Sequence, residues 1–520
     1  MTIFFSSITT ITTLLFAFLL LRSVLRAVLS PLRNVPGPFL ARFSRLWYLR
    51  QVLRGDWEKV DIELHRRYGP IVRIAPNEYS IDDVDAVKII YGQGSKFTKS
   101  PWYIASGNPS SPPHASDLFS ELSPTRHALN RRQVAQLYSV TNLLKMEPCV
   151  RECTALLTAR FEEFARSGSN LQKGEVVDLQ HWLQCYAFDV IGLITVARRF
   201  GFLDKGEDSY GIFAALHAYL RYCAAVGVYW ELHPWLYRLL ARFGASGTAY
   251  ITEFARRQIV ERRELMQKKN LQDDDAADDN FLSKVLAMHD EDPARFTEGH
   301  VLTTCIMNIG AGSDTTSISL SAILWYLIKT PRCLEKLRDE IAHKESTGQL
   351  SNPVTFQQSQ QMPYLQAVIK EGLRMHPATG LPLGRVVPKG GETIAGRFFP
   401  EGTIVGINTW VAHRNKDIFG SDADTFRPER WLEVEDDEDE EVKARKMERY
   451  FLPFGHGSRT CIGKNISLME ISTLIPQLVR TFDFDLADDV DDEDDDYALQ
   501  TENVWFVKLK DFRVRVQVRE

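Results

Sequence analysis

FGHGSRTCIGKNISLMEIS, residues 454 to 472, sets one cysteine, Cys461, among Gly455, Gly457 and Gly463, with Arg459 and Lys464 beside it. Glycines let a backbone turn tightly and come close to something flat and bulky. A thiol flanked by cations at the start of a helix has its pKa lowered, because unpaired backbone N–H groups point outward there. The stretch therefore predicts a loop that presents a negatively charged sulfur and then enters a helix. The apolar periodicity of that helix is expected to stop at Pro476.

Working outward, Glu298 to Thr330 is apolar and free of proline, so it predicts a helix that crosses the core and ends before Pro331. Its centre reads GAGSDTT, Gly310 to Thr316. Two glycines weaken a helix, and Asp314 and Thr315 place polar groups in an apolar context. Close helix packing with a solvated acid explains this in part. A functional reading explains all four residues: room for a ligand, a hydroxyl that bonds back to a carbonyl, and an acid that relays protons.

YLQAVIKEGLRMH, between Pro363 and Pro377, predicts a second helix, with Glu371 and Arg374 three apart on one face. TFRPERW, 425 to 431, supplies Arg430 in a proline-bent segment, so one carboxylate could be shared by two guanidinium groups. IVRIAPNEYSI at 71 to 81, TIVGINTW at 403 to 410 and WFVKLKDFRVRVQV at 505 to 518 alternate as strands. The chain is thus expected to be mainly helical with a small sheet to one side.

The 520 residues carry a net charge of -6, and 44% are hydrophobic, as in a globular protein with a large core and no bias toward nucleic acid. Seven cysteines without CxxC pairs indicate neither a disulfide framework nor a zinc site. Acidic runs at 273–279, 433–441 and 488–496 read as solvated loops or insertions. Ile3 to Leu21 has no charge and would reach about 28 Å as a helix, which predicts a single membrane span with Arg22, Arg26 and Arg33 on its cytosolic side. Residues 1–29 are expected to form that anchor. VPGPF, 35 to 39, then forms a stiff hinge into the body.

Together these residues resemble the cytochrome P-450 family of haem-thiolate monooxygenases. Phe454, Gly457, Arg459, Cys461 and Gly463 match the family pattern F-x-x-G-x-R-x-C-x-G in full. AGSDTT resembles its oxygen-activating stretch, EGLR its Glu-x-x-Arg pair and FRPER its meander motif. FGHGSRTCIGKNISLMEIS and VWFVKLKDFRV are similar to fungal secondary-metabolism members of the pisatin demethylase type.

The resemblance implies a haem b whose iron takes Cys461 as axial thiolate, which favours O–O cleavage. It implies that Asp314 and Thr315 hold oxygen and deliver protons, and that Phe454 and Gly455 belong to the cofactor loop. Haem carboxylates would be held by Arg459, by Arg385 in LPLGRVV, and by His127 with Arg131, where His127 departs from the family's tryptophan. Glu371, Arg374 and Arg430 would be structural. One haem shared by residues this far apart implies one catalytic unit, 30 to 520.

No nucleotide-binding fingerprint is present, so electrons from NADPH would come through a separate cytochrome P-450 reductase, with cytochrome b5 as a second possible donor. The implied location is the endoplasmic reticulum membrane, with the catalytic body cytosolic. The substrate would be a hydrophobic small molecule that meets the loop 100–119, with Trp102, Tyr103 and Phe119, and the segment 378–384. A haem-thiolate isomerase or dehydratase and a non-enzymatic haem module are the alternatives.

Overall fold

Helices dominate because long apolar periodic runs need partners to bury them, and the central run after Glu298 supplies the axis. The computed structural model describes residues 2–109, 116–167, 175–242, 247–269, 280–432, 438–487 and 499–519. The helices that place the site are α1 (Thr2–Leu29), α2 (Pro124–Val134), α3 (Leu179–Val196), α4 (Ile212–Val228), α5 (Glu298–Ile328), α6 (Pro363–Met375) and α7 (Lys464–Thr481).

Helix α5 starts at Thr297, whose side chain forms a capping box with His300, and it stops before Pro331 as its sequence predicts. It packs along α3, and the two share the larger hydrophobic core with α7. A five-stranded sheet lies to one side over a smaller core: β1 (Ile71–Ala75), β2 (Glu78–Ile81), β3 (Thr98–Lys99), β4 (Arg385–Val386) and β5 (Ile404–Gly406), in the order β1-β2-β5-β4-β3. A ribbon of β6 (Thr501–Asn503) and β7 (Val507–Leu509) returns toward α5.

Several expectations need correction. The residues from 505 to 518 are not one strand: Trp505 has φ of 91° at the turn between β6 and β7, and Arg513–Val518 pairs instead with Phe482–Leu486 and Val176–Asp178. Helix α7 continues through Pro476 to Thr481. Burial of Ile471, Leu474, Ile475 and Leu478 outweighs the roughly 3 kcal/mol that an internal proline costs.

The predicted N-terminal span is also overturned. Residues 2–29 do form a helix, but among the described residues no single helix is long and apolar enough to cross a membrane. The helix carries Arg22 and Arg26, and its C-terminal part is tied to the body, where Ser23 donates to the Phe43 carbonyl at 2.5 Å. Among the described residues, the pair Ile212–Val228 and Trp230–Leu240 together has the length and apolar composition of a span, but it is bent by 113°. The acidic runs at 273–279 and 488–496, and residues 433–437 of the third, lie outside the described residues, while Glu438 opens a helix that ends at Tyr450.

Candidate functional site

The loop before α7 is shaped by its glycines. Gly455 and Gly457 sit at φ of 70° and 66°, and a Cβ on Gly457 would overlap the Tyr91 carbonyl. The turn brings the Cys461 N–H to within 2.8 Å of the Phe454 carbonyl. The backbone N–H groups of Gly463 and Lys464, at the start of α7, point at the sulfur and favour its anion, as does Arg131. Burial wins nonetheless and pushes the Cys461 thiol up. Cys461 is at the same time exposed. A thiol that is open locally yet desolvated by protein all round faces an internal hollow.

The expected effect of Arg459 on the sulfur does not arise, because Arg459 turns away and donates to the carbonyls of Glu121 (2.8 Å) and Leu122 (3.5 Å). It joins a cluster that holds His127 and Arg131 of α2, Arg385 of β4, and Lys99 of β3. Sequence reasoning missed Lys99, since only the pairing of β3 with β4 brings it there.

Burial lowers the Lys99 ammonium well below its usual range, and Arg385, Arg459 and Arg131 push it further. Burial, then Arg459, Lys99 and Arg131, hold His127 down to about 3. Burial, with Arg385, lowers Arg459 to about 10. Glu121, whose charge reaches His127 and Arg459, is taken by Arg126 at 2.9 Å. Among the described residues Lys99, Arg131, Arg385 and Arg459 form no ion pair with a carboxylate. Lys99 and Arg385 are buried and Arg131 and Arg459 half-buried, and cations placed so without a carboxylate ion pair fit an anionic ligand.

Across the hollow, the two glycines of α5 do different jobs. A Cβ on Gly310 would meet nothing within 4 Å, whereas one on Gly312 would press on Ile191 of α3 at 3.1 Å. Ala311 is exposed in mid-helix, and Thr315, one turn on, donates its hydroxyl to the Ala311 carbonyl at 2.8 Å. Thr316 faces α7, with its hydroxyl 2.9 Å from that of Ser467. Tyr138 donates to Asn308 of α5 at 2.5 Å, and Cys461 raises its pKa further after burial and Cys305, so α5 and the cysteine loop flank one space.

Asp314 is not on that face. It is fully buried, accepting from Gln184 of α3 at 2.5 Å and lying 2.7 Å from the Lys508 ammonium of β7.

Glu371, Arg374 and Arg430 do meet, all buried. Arg374 grips both carboxylate oxygens at 2.9 and 2.8 Å, Arg430 Nε reaches Oε1 at 2.9 Å, and the Trp431 indole reaches Oε2 at 2.9 Å. Burial pushes Glu371 up, but the Arg374 hydrogen bonds outweigh it and hold its pKa below the usual carboxylate value. The triad touches the cysteine loop through His413, another residue that the sequence did not reveal. Nδ1–H of His413 donates to the Arg374 carbonyl at 2.9 Å, which leaves Nε2 to accept from the Leu452 N–H at 2.8 Å.

Trp102, Tyr103 and Phe119 converge with Trp505. Trp102 and Trp505 are 5.0 Å apart, Tyr103 and Phe119 5.0 Å, and Phe119 and Trp505 4.8 Å, so these rings pack on one another. In the segment 378–384, Gly380 donates to the Trp505 carbonyl at 2.8 Å.

The cytochrome P-450 family profile matches residues 36–505. The chain is 42% identical to a pisatin demethylase of Fusarium vanettenii over 495 residues, 95% of this chain and 92% of that one. It is 36% identical over 480 residues to a cytochrome P-450 monooxygenase of Aspergillus terreus, covering 90% and 92% of the two chains. A cytochrome P-450 monooxygenase of Emericella nidulans is 34% identical over 494 residues, 94% of each chain. The thiol loop, the central helix and the Glu371 triad all fall inside the matched region, and the chain belongs to the cytochrome P-450 family of haem-thiolate monooxygenases.

Proposed function

We propose that α5 and the 454–463 loop would hold haem b, with Cys461 as the residue that would ligate its iron and Phe454 and Gly455 as part of the loop that would hold it. Arg459, Arg385, Arg131 and His127, with Lys99 beside them, would hold its carboxylates. The observation that carries this reading is the cluster of cations that, among the described residues, form no ion pair with a carboxylate, set next to a thiol that opens on an internal hollow. When bound, the haem supplies reductive activation of dioxygen and insertion of one oxygen atom into the substrate.

The chain's own contribution is to bind, orient and supply protons. Cys461, as a thiolate, would hold the metal and supply it with electron density. Thr315 presents a hydroxyl to the hollow from a helix opened by Gly310, and Asp314, the next residue inward, provides the acid behind it. Glu371, Arg374 and Arg430 fix the segment that leads to Cys461, and residues 30–520 act as one catalytic unit.

The substrate is a hydrophobic small molecule of fungal secondary metabolism, which suits the wall of Trp102, Tyr103, Phe119 and Trp505 and the fungal relatives. Electrons come from NADPH through a separate flavin-bearing reductase, with cytochrome b5 as an accessory donor. The body sits against the cytosolic face of the endoplasmic reticulum. In support, Phe39, Leu40, Leu46, Trp235 and Leu239 are exposed, and the Arg45–Glu231 ion pair at 2.8 Å ties their segments together.

The deciding experiment is the spectrum of the reduced, CO-bound protein. The red-shifted Soret band of thiolate-ligated haem is expected, and Cys461→Ala is expected to abolish it. An unchanged band in that variant rejects the ligand. Product formation that needs both NADPH and O2 distinguishes the monooxygenase from an isomerase or a passive haem module.

A further inference from the structure

Asp314 sits at the inner end of a graded series of charges. Exposure of the side chains rises from Asp314 (0%) through Lys508 (13%) and Glu502 (22%) to His217 (33%). Glu502 of β6 is the direct cross-strand partner of Lys508 of β7, so both side chains lie on one face of the ribbon. Glu502 in turn lies 3.0 Å from Lys510, 3.6 Å from Arg221 and 3.9 Å from His217, the last two on α4. Burial and then Lys508 lower the pKa of His217, which places that imidazole within the field of the same ammonium.

Both oxygens of Asp314 are committed, Oδ1 to Gln184 and Oδ2 to Lys508. Thr315 is bonded to Ala311, so acid and hydroxyl make no contact with each other in this arrangement. A relay from Asp314 therefore requires one of its two contacts to open. Lys508 is the contact nearer solvent: its side chain is 13% exposed on a two-stranded ribbon, whereas Gln184 is buried on α3.

We propose that Lys508 is the positioning residue that controls proton supply to Asp314, tying the buried carboxylate to the β6–β7 ribbon and releasing it when the ribbon shifts. This rests on the reading of Asp314 as the acid behind Thr315. The same ribbon turns at Trp505, whose φ of 91° is held by the Asn503 side chain (3.0 Å to the Trp505 N–H) and by Gly380, and whose ring packs on Trp102 and Phe119. The wall that meets the substrate and the ammonium that holds the acid thus belong to one mechanical unit. Proton supply then follows occupancy of the pocket.

The test uses the full-length haem-loaded protein with its reductase. In Lys508→Met, and in Lys508→Gln as a second neutral replacement, the buried carboxylate loses its counter-charge and takes up a proton. Infrared difference spectra against wild type should gain a protonated-carboxyl C=O band that the Lys508→Met, Asp314→Asn double variant lacks. The fraction of NADPH electrons released as peroxide should acquire a pH dependence and change about tenfold, within the range that general acid–base groups supply. Lys508→Arg should restore the wild-type spectrum and profile.

No gained band in either neutral variant, or a band that survives Asp314→Asn, overturns the proposal, as does a peroxide profile identical to wild type. Asp314→Asn alone separates the two readings. If it leaves the peroxide fraction unchanged, the acid role itself is wrong and the control by Lys508 falls with it; if it acts and Lys508→Met does not, only the control by Lys508 falls.

Discussion

Lys99 stands directly opposite Arg385 across β3 and β4, two like charges in register with both side chains buried. Like charges facing each other across strands destabilise a sheet, and burial raises the cost. The arrangement makes sense around an anion. The Lys99 ammonium already lies over the rings of Tyr103 (4.4 Å) and Phe119 (4.3 Å) and donates to the Phe119 carbonyl, so its remaining donors are free to face a carboxylate.

Lys99→Met is therefore expected to keep the thiolate spectrum but to lose haem to an excess of a haem acceptor about tenfold faster or more, since a hydrogen bond to a charged group contributes roughly 1.5–3 kcal/mol. Lys99→Arg should hold haem nearly as well as wild type. Equal release rates for Lys99→Met and wild type would remove Lys99 from the cofactor site.

Thr315→Ala keeps a good helix former in α5 and deletes a hydroxyl that now bonds to Ala311. Haem content and the CO spectrum should persist. NADPH consumption should continue with more of its electrons appearing as peroxide, measured by paired assays of the two. Loss of haem would assign Thr315 to structure instead.

Glu371→Ala strands two buried guanidinium groups at once. Breaking a buried pair costs roughly 3–5 kcal/mol, and here the carbonyls of His413 and Phe419, each 2.6 Å from a guanidinium, would also lose their fixed donors. The expected outcome is a protein without haem, read from the absorbance ratio of the purified chain. Retention of full haem content would show that His413 alone positions Leu452 and the loop.

His376 predicts a pH effect that does not involve the cofactor. It is fully buried, Nε2–H donates to the Val507 carbonyl at 2.8 Å, and burial lowers its pKa from 6.5 to about 4. As pH falls below 6.5 the unfolded chain takes up a proton that the folded chain refuses, so the stability that neutral His376 contributes above 6.5 is lost on the way down to about 4. The span of the shift limits this to at most about 3 kcal/mol. His376→Gln keeps a donor for Val507 but does not titrate, so its melting temperature should fall less than wild type between pH 7 and pH 5.

Local chemistry was legible in the residues themselves. Gly455 and Gly457 announce a turn that only glycine accommodates, Thr297 and Pro331 bracket the long helix, and the spacing of Glu371 and Arg374 puts them on one face. Each of these depends on residues within one or two helical turns of each other, which is the range over which backbone sterics and capping act. The same local logic misled at Pro476, where burial along the whole of α7 outweighed one lost hydrogen bond, and at Ile3–Leu21, where an uncharged run read as a span.

What only the tertiary structure decided are the partners. No spacing reveals that Lys99 faces Arg385, that Arg459 turns from Cys461 toward Glu121, or that Lys508 reaches Asp314. Those contacts join segments that lie far apart in the chain, and the charge of a buried group is set by whichever neighbours the packing delivers. Sequence by itself determined the chemistry available to this protein, because that is carried by residue types at short spacing. The tertiary structure decided which of those groups stand together and which stand unpaired, because desolvation and Coulomb energies depend on distance through space rather than along the chain.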